Sequence, residues 1–279
     1  MPAVPGLLAD GARRLDSAAE ARTLLAHAAA VEPSRLALLA EVDDDVAAGY
    51  AALLARRAAG EPVQYLTGRA WFRTVGVTVA PGVFIPRPET EVMTGWAIDR
   101  LRELPGEPVV VELCAGSGAI SAAIAAERPG CRQYAVELSE AACRLAERNL
   151  AGTGVALVEG DMADAFPELD GTVDLVITNP PYIPLEAWEG VAADVRAHEP
   201  ELALFSGADG LDALKVVARV AARLLRPGGR VCAEHAEVQA ESVVAVFAEA
   251  GAFTQVADHT DYNDRPRYVT AVRAAKLAG

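Results

Sequence analysis

At 279 residues, with 52% apolar and 23% charged positions, the chain is long enough for one large domain or two smaller ones, and either would bury a sizeable core. Its 39 acidic residues against 25 basic ones give a formal charge of −14, which is the wrong sign for broad neutralisation of nucleic-acid phosphates and suits a partner protein carrying positive charge. No apolar run approaches the roughly 18 residues a membrane span needs, and Met1 to Pro5 does not open a signal-peptide pattern. Cys114, Cys131, Cys143 and Cys232 lack both Cys-x-x-Cys and histidine spacing suited to zinc, so they read as thiols in a reducing compartment, by default the cytoplasm.

Residues from Ser17 to Gly60 read as helices. Ser17-Ala-Ala-Glu20 fits a capping box ahead of Leu24, Leu25 and Ala28, with the serine accepting one turn in and the glutamate reaching back. Asp43 can cap a further helix that places Val46, Tyr50, Leu53 and Leu54 on one face, and Gly60 with Pro62 ends it. From Gln64 to Val79 the β-branched and aromatic content predicts a hairpin or short ribbon. Phe84-Ile-Pro-Arg-Pro-Glu-Thr-Glu91 is a stiff approach from which Pro88 opens a helix running toward Leu104.

Val109 to Leu113 is a buried strand, followed by the glycine turn Cys114-Ala115-Gly116-Ser117-Gly118 and a helix through Glu127. Strand, glycine turn and helix make a nucleotide-binding start, but Ser121 stands where a dinucleotide fingerprint needs a third glycine, so a pyrophosphate cofactor is not indicated. The second strand ends in Glu137, where a carboxylate can accept from ribose hydroxyls. A helix from Ser139 to Leu150 and a strand from Val155 to Val158 lead to Gly160-Asp161-Met162.

Asp174 to Tyr182 reads Asp-Leu-Val-Ile-Thr-Asn-Pro-Pro-Tyr, a buried strand stopped by two prolines that donate no backbone N–H and hold φ near −65°. The stiff turn presents the Asn179 amide, the Pro180 carbonyl, Pro181 and the Tyr182 ring at the carboxyl end of a strand, where open α/β sheets bind ligands. Such a turn could grip a small planar group that both donates and accepts hydrogen bonds. Beyond it come a helix from Asp209 through Leu225, the strand Arg230 to Ala233 after Pro227-Gly-Gly, a helix to Ala250, and strands near Thr254 and from Arg267 to Val272. The alternation predicts a doubly wound α/β fold with a mostly parallel sheet. His198 and His235 receive no catalytic role, and Gly-x-Ser-x-Gly is absent.

Glu61 to Gly68, Phe84 to Glu91, the Cys114 to Gly118 loop, Asn179-Pro-Pro-Tyr182, His198-Glu-Pro and Ala208-Asp-Gly-Leu211 together resemble the release-factor glutamine methyltransferases, the HemK/PrmC family. The resemblance implies a Rossmann-like class I methyltransferase sheet over residues 89–279, a β-hairpin linker over 63–88 and an N-terminal helical, substrate-recognising domain over 1–62. It implies S-adenosyl-L-methionine as cofactor and a class 1 peptide chain release factor as partner, with no membrane and no direct nucleic acid. The methyl acceptor would be the side-chain amide nitrogen of the glutamine in the Gly-Gly-Gln motif. Carried over by motif, Cys114, Ala115, Gly116, Ser117 and Gly118 would line the methionine and ribose, Glu137 would hold the ribose hydroxyls, and Met162 would lie against adenine. Asn179 would meet cofactor and substrate, with Pro180, Pro181 and Tyr182 on the substrate side and Asn179, Pro180 and Tyr182 carrying the chemistry. Phe84 to Arg87 would border the same cleft.

Three departures stand out: Cys114 replaces the first glycine of the family loop, and Glu112 and Glu137 stand where aspartate is common. Asn-Pro-Pro-Tyr is shared with enzymes that methylate amino groups of adenine or guanine, which leaves a nucleic-acid methyltransferase as one rival. A ribosomal-protein glutamine methyltransferase is a second, and a non-catalytic binding module on the same fold is a third.

Overall fold

A computed structural model describes residues 1–190 and 192–275, except for the side chains of Ala193 and Asp194. The chain folds as two compact units, one of residues 1–69 with 192–198 and the other of the remaining described residues.

The first unit is helical: α1 (Val4–Leu15), α2 (Ala18–Ala28), α3 (Asp44–Ala58) and the short α4 (Val63–Thr67). The sequence reading contains no counterpart of α1, whose Gly6 and Gly11 interrupt an apolar pattern; Gly11 is required because a Cβ there would run into the Tyr50 hydroxyl. Leu24, Leu25, Leu36, Tyr50 and Leu54 form its core. Ser17 caps α2 by accepting from the Glu20 N–H at 3.2 Å, but the reciprocal half of the capping box is absent. Glu20 instead accepts from Arg57 Nε and Nη2 at 2.7 and 3.0 Å, because a two-pronged, charge-assisted pair outcompetes a neutral N–H. Asp43 occupies the N-cap position of α3 without a side-chain cap bond. The extended reading of Gln64 to Thr67 is overturned: these residues form α4, which buries Tyr65 and Leu66 and ends at Gly68 in the left-handed region. Leu66 joins the helical core, and this burial overrides β propensity.

The hairpin is shorter than expected, β1 (Arg69–Phe72) and β2 (Val75–Thr78) joined through Arg73 at φ 51°. Within the second unit Arg73 holds the turn by donating to both Glu127 oxygens at 2.8 Å and to the Glu91 carbonyl at 2.9 Å. α5 (Pro88–Arg102) starts with Pro88 at its first turn, where a missing N–H costs nothing. There follow β3 (Val109–Leu113), α6 (Ala119–Glu127), β4 (Arg132–Glu137), α7 (Glu140–Asn149), β5 (Ala156–Glu159) and β6 (Val173–Thr178). α8 (Ala193–His198) belongs to the first unit; α9 (Asp212–Leu224), β7 (Leu225–Glu234), α10 (Ala240–Glu249), β8 (Phe253–Thr260) and β9 (Pro266–Arg273) complete the second.

Among the described residues the second unit holds a seven-stranded sheet in the order β5-β4-β3-β6-β7-β9-β8, parallel except where β9 runs against β7 and β8. The chain enters at β3, winds outward to β5, then returns to lay β6 on the other side of β3. The topological switch point therefore lies between β3 and β6, where the carboxyl ends of two neighbouring strands open a crevice. All five residues of β3 are buried, as a strand covered on both faces requires.

Candidate active site

The register aligns the carboxyl ends of four strands. Leu113 pairs with Val136 and with Thr178, and Glu137 pairs with Glu159. Cys114, Glu137, the Gly160-Asp161-Met162 turn and Asn179 therefore leave the sheet along one edge, which is where the sequence reading placed its site residues.

The loop after β3 turns through left-handed residues at Cys114 (φ 57°), Gly116 (φ 56°) and Gly118 (φ 78°). Cys114 is a Cβ-bearing residue in a region that favours glycine, at a cost of about 1–2 kcal/mol. Its sulfur lies 3.6 Å from the Met162 sulfur, and burial beside Glu137 pushes its thiol up to about 12. The loop is pinned from three sides. Glu137 accepts from the Gly116 N–H at 2.7 Å and from the Ser139 N–H at 2.8 Å. Asn149 donates to the Ser117 carbonyl at 2.8 Å while exchanging bonds with the Thr78 backbone at 2.8 and 2.9 Å. Glu112 accepts at one oxygen from both the N–H, at 2.9 Å, and the hydroxyl of Ser121. Burial raises the Glu112 carboxyl to about 8 despite those two bonds, with the Glu137 charge adding to the rise.

This cradle fits an adenosyl group bearing a short charged chain. Gly116 has nothing within 4 Å of where a Cβ would stand, so its backbone is open to close approach. A carboxylate has about four acceptor positions, and Glu137 uses two of them on N–H groups, leaving capacity for vicinal hydroxyls. Met162 follows Asp161, which caps a short helical turn by accepting from the Ala163 N–H at 2.8 Å.

The turn after β6 is held as firmly. Strand pairing of β6 ends at Thr178, whose hydroxyl donates to the Leu113 carbonyl at 2.7 Å, so Pro180 lies beyond the ladder. The Asn179 amide nitrogen donates to the Thr90 hydroxyl oxygen at 3.1 Å, and the Tyr182 hydroxyl donates to Glu234 Oε1 at 3.0 Å. Gln239 donates to the Tyr182 carbonyl at 2.9 Å and to the Asp209 carbonyl at 3.2 Å. Beyond the turn, Ile183 donates to the Leu204 carbonyl at 2.8 Å and Ser206 donates to the Ile183 carbonyl at 3.0 Å, which holds Ile183 beside Leu204 to Ser206. Arg87 lies over the Phe84 ring at 4.9 Å and pairs with Glu199, whose side chain is 1% exposed. The Phe84 to Arg87 segment is thus bound to Glu199 through Arg87.

Sequence reasoning missed Thr90, Asn149, Glu234 and Gln239. Glu234 could have been found by the argument used for Glu137, since it too is an acidic residue ending a buried strand. His235 is buried, and its ring nitrogens face the Ala236 carbonyl at 2.9 Å and Asp258 at 2.8 Å, so both are occupied within the protein.

Residues 7–68 match the family model of the PrmC N-terminal domain, and residues 75–194 match that of the methyltransferase small domain. A release factor glutamine methyltransferase of Streptomyces coelicolor is 51% identical over 256 residues, covering 91% of this chain and 90% of that protein. The chain belongs to the release factor glutamine methyltransferase family. The methyltransferase is also 43% identical over 277 residues to a 4-amino-L-phenylalanine/4-methylamino-L-phenylalanine methyltransferase of Streptomyces pristinaespiralis, covering 96% of this chain and 90% of that one. Among solved structures, a methyltransferase of Pyrococcus furiosus shares the fold at a TM-score of 0.51 and 18% identity, covering 71% of this chain and 89% of that one. Among the described residues no group of His, Cys, Asp and Glu could hold a metal ion, and no helix is long and apolar enough to cross a membrane.

Proposed function

We propose that this enzyme methylates the side-chain amide nitrogen of the Gly-Gly-Gln glutamine of a class 1 release factor, acting in the cytoplasm. The observation that carries the reading is the orientation of Asn179: its NH₂ end is committed to Thr90, so its carbonyl end is the one available to a substrate nitrogen. S-adenosyl-L-methionine, when bound, supplies a sulfonium-activated methyl group. The residues that would hold it are Cys114 to Gly118, Glu137, Met162 and Asn179.

An amide nitrogen is a poor nucleophile because its lone pair is delocalised into the carbonyl, so the enzyme's task is orientation. Asn179 Oδ1 and the Pro180 carbonyl accept the two N–H bonds of the substrate amide and aim the nitrogen across the switch point toward the glycine loop. The same acceptors stabilise the positive charge that develops on nitrogen as the new bond forms. Tyr182, anchored at its hydroxyl, packs its ring against the amide plane, and Pro181 holds the turn stiff. No strong base is needed, since the N–H acidifies as the methyl arrives and solvent takes the proton.

The test is transfer of labelled methyl from S-adenosyl-L-methionine to a class 1 release factor, run beside the same factor with its Gly-Gly-Gln glutamine replaced. Duplex DNA, a ribosomal protein and 4-amino-L-phenylalanine run as competing acceptors, the last because a relative as similar as 43% carries that substrate in its name. Label confined to the unmodified factor supports the reading; label on the changed factor or on any competitor overturns it. Asn179→Ala is expected to lower kcat about 10²- to 10³-fold, the usual effect of removing one transition-state hydrogen-bonding group, with a much smaller change in cofactor affinity.

A further inference from the structure

Glu234 ends β7, is 1% exposed, and has no part in the chemistry just described. Its two oxygens serve different donors: Oε2 accepts from the Thr90 hydroxyl at 2.6 Å and Oε1 from the Tyr182 hydroxyl at 3.0 Å. Thr90 in turn accepts from Asn179 Nδ2 at 3.1 Å, and its own backbone carbonyl accepts from Thr94 at 2.9 Å, which fixes this turn of α5.

The direction of every proton in this chain follows from one property of Glu234, that an ionised carboxylate only accepts. Thr90 has a single hydroxyl proton and must give it to Glu234. Toward Asn179 it can then only accept, so Asn179 must turn its NH₂ end to Thr90 and its oxygen end away. We propose that Glu234 is a positioning residue for the methylation: through Thr90 it fixes which end of the Asn179 amide faces the substrate nitrogen, and through Tyr182 it holds the other end of the same turn. The proposal rests on the reading above, in which Asn179 Oδ1 accepts from the substrate.

A donor at position 234 undoes the ordering. When Glu234 is protonated or replaced by glutamine, Thr90 can accept from it and swing its own proton to Asn179, whose amide then turns over. The flipped amide presents N–H groups to the N–H groups of the substrate. Burial brings the Glu234 carboxyl up to about 7, against the bonds from Thr90 and Tyr182 and the charge of Arg267, while Glu89 adds to the rise. Tyr182 is itself pushed well above its ordinary range by burial and by Glu234, so it stays a donor. The ordering is thus complete on the alkaline side of neutrality and fades on the acid side.

The experiment has two readouts. The first is steady-state transfer to the release factor by wild type, Glu234→Gln, Thr90→Val, Thr90→Ser and the Glu234→Gln/Thr90→Val double variant. The second is the side-chain amide signal of Asn179 in protein labelled with ¹⁵N-asparagine, followed with pH; the sequence has only Asn149, Asn179 and Asn263, and Asn179→Ala identifies the signal. Expected are a kcat at least about tenfold lower in Glu234→Gln and Thr90→Val, with cofactor Kd within about threefold. Thr90→Ser should keep near-normal turnover, and the double variant should be no worse than its worse parent, since both break one chain. The Asn179 signal should titrate with a midpoint near neutrality in wild type and lose that titration in Glu234→Gln.

Loss of kcat matched by equal loss in Thr90→Ser, multiplicative effects in the double variant, or an Asn179 signal indifferent to both pH and Glu234→Gln would each overturn the proposal. A wild type that transfers no label to the release factor sinks the substrate reading instead, and the amide signal alone then decides the ordering. Should Glu234→Gln fail to fold, the contrast between Thr90→Val and Thr90→Ser carries the same decision.

Discussion

Gly210 touches no substrate, yet its replacement by alanine should cost the enzyme most of its turnover. Its φ is +76°, and a Cβ built there lies 2.5 Å from Gln239 Nε2, 3.1 Å from Pro184 Cδ and closer still to the Tyr182 carbonyl oxygen. Ordinary contact begins near 3.4 Å, so the Tyr182 backbone must retreat by about 1 Å or Gln239 must abandon it, and a misplacement of that size costs about 10² in rate. Two terms add in stability: about 1–2 kcal/mol for a side chain in the left-handed region, and about 1–3 kcal/mol for leaving the Tyr182 and Asp209 carbonyls without Gln239. The control is Gly171→Ala, at φ +70° with nothing within 4 Å of its Cβ, which carries the backbone strain without the collision. Urea unfolding and single-turnover methyl transfer separate the two effects. Folded Gly210→Ala protein with a transfer rate within about threefold of Gly171→Ala would show that the collision does not reach the turn.

Two further outcomes follow from buried charge. Glu112 is raised in the folded state to about 8 from an ordinary 4.5, so the folded protein binds its proton more tightly than the unfolded chain does. Its contribution is fully favourable below about pH 4.5 and is lost as pH rises through about 8; thermal melts of wild type against Glu112→Gln should diverge over that window by a few kcal/mol, the glutamine variant gaining on the alkaline side. Parallel melting curves from pH 5 to 9 would contradict this. Arg87→Ala removes the guanidinium from the Glu199 side chain, which is 1% exposed, and should cost about 3 kcal/mol in urea unfolding; a loss below about 1 kcal/mol would mean that the pair is not held.

The parts of the site that were legible in the sequence are those whose chemistry is local. A buried strand stopped by two prolines, a glycine turn between strand and helix, and an acidic residue ending a strand each announce themselves within a few positions, and the parallel register then aligns Cys114, Glu137, Met162 and Asn179. The supports were not legible because they join distant positions: Thr90 meets Glu234 across 144 residues and Asn179 across 89. Gln64 to Thr67 failed for a different reason. Tyr and Thr favour strands when judged alone, but the sequence cannot show that Tyr65 and Leu66 are both buried, Leu66 within the helical core. Cys114 failed in the opposite sense: its Cβ, where the family has glycine, implies a conformation open to any residue, yet the structure holds it in the left-handed region at φ 57°.

The glycine loop and the Asn-Pro-Pro-Tyr turn are anchored by different residues, and this predicts that cofactor affinity and turnover separate by mutation. Asn149 bonds the Ser117 carbonyl and both backbone groups of Thr78, so it clamps the loop that cradles the cofactor against the end of the hairpin. Thr90 and Glu234 clamp only the turn. Asn149→Ala gives up bonds to one side of the cradle and should weaken S-adenosyl-L-methionine binding about tenfold, the equivalent of one or two net hydrogen bonds, with kcat at saturating cofactor within about twofold of wild type. Combined with Thr90→Val, the two losses should multiply, each confined to its own constant, because sites without shared partners add in free energy. Titration calorimetry gives the first constant and saturated turnover the second. A fall in kcat in Asn149→Ala comparable to that of Thr90→Val would show that the loop and the turn move as one body and that binding and orientation are not separate.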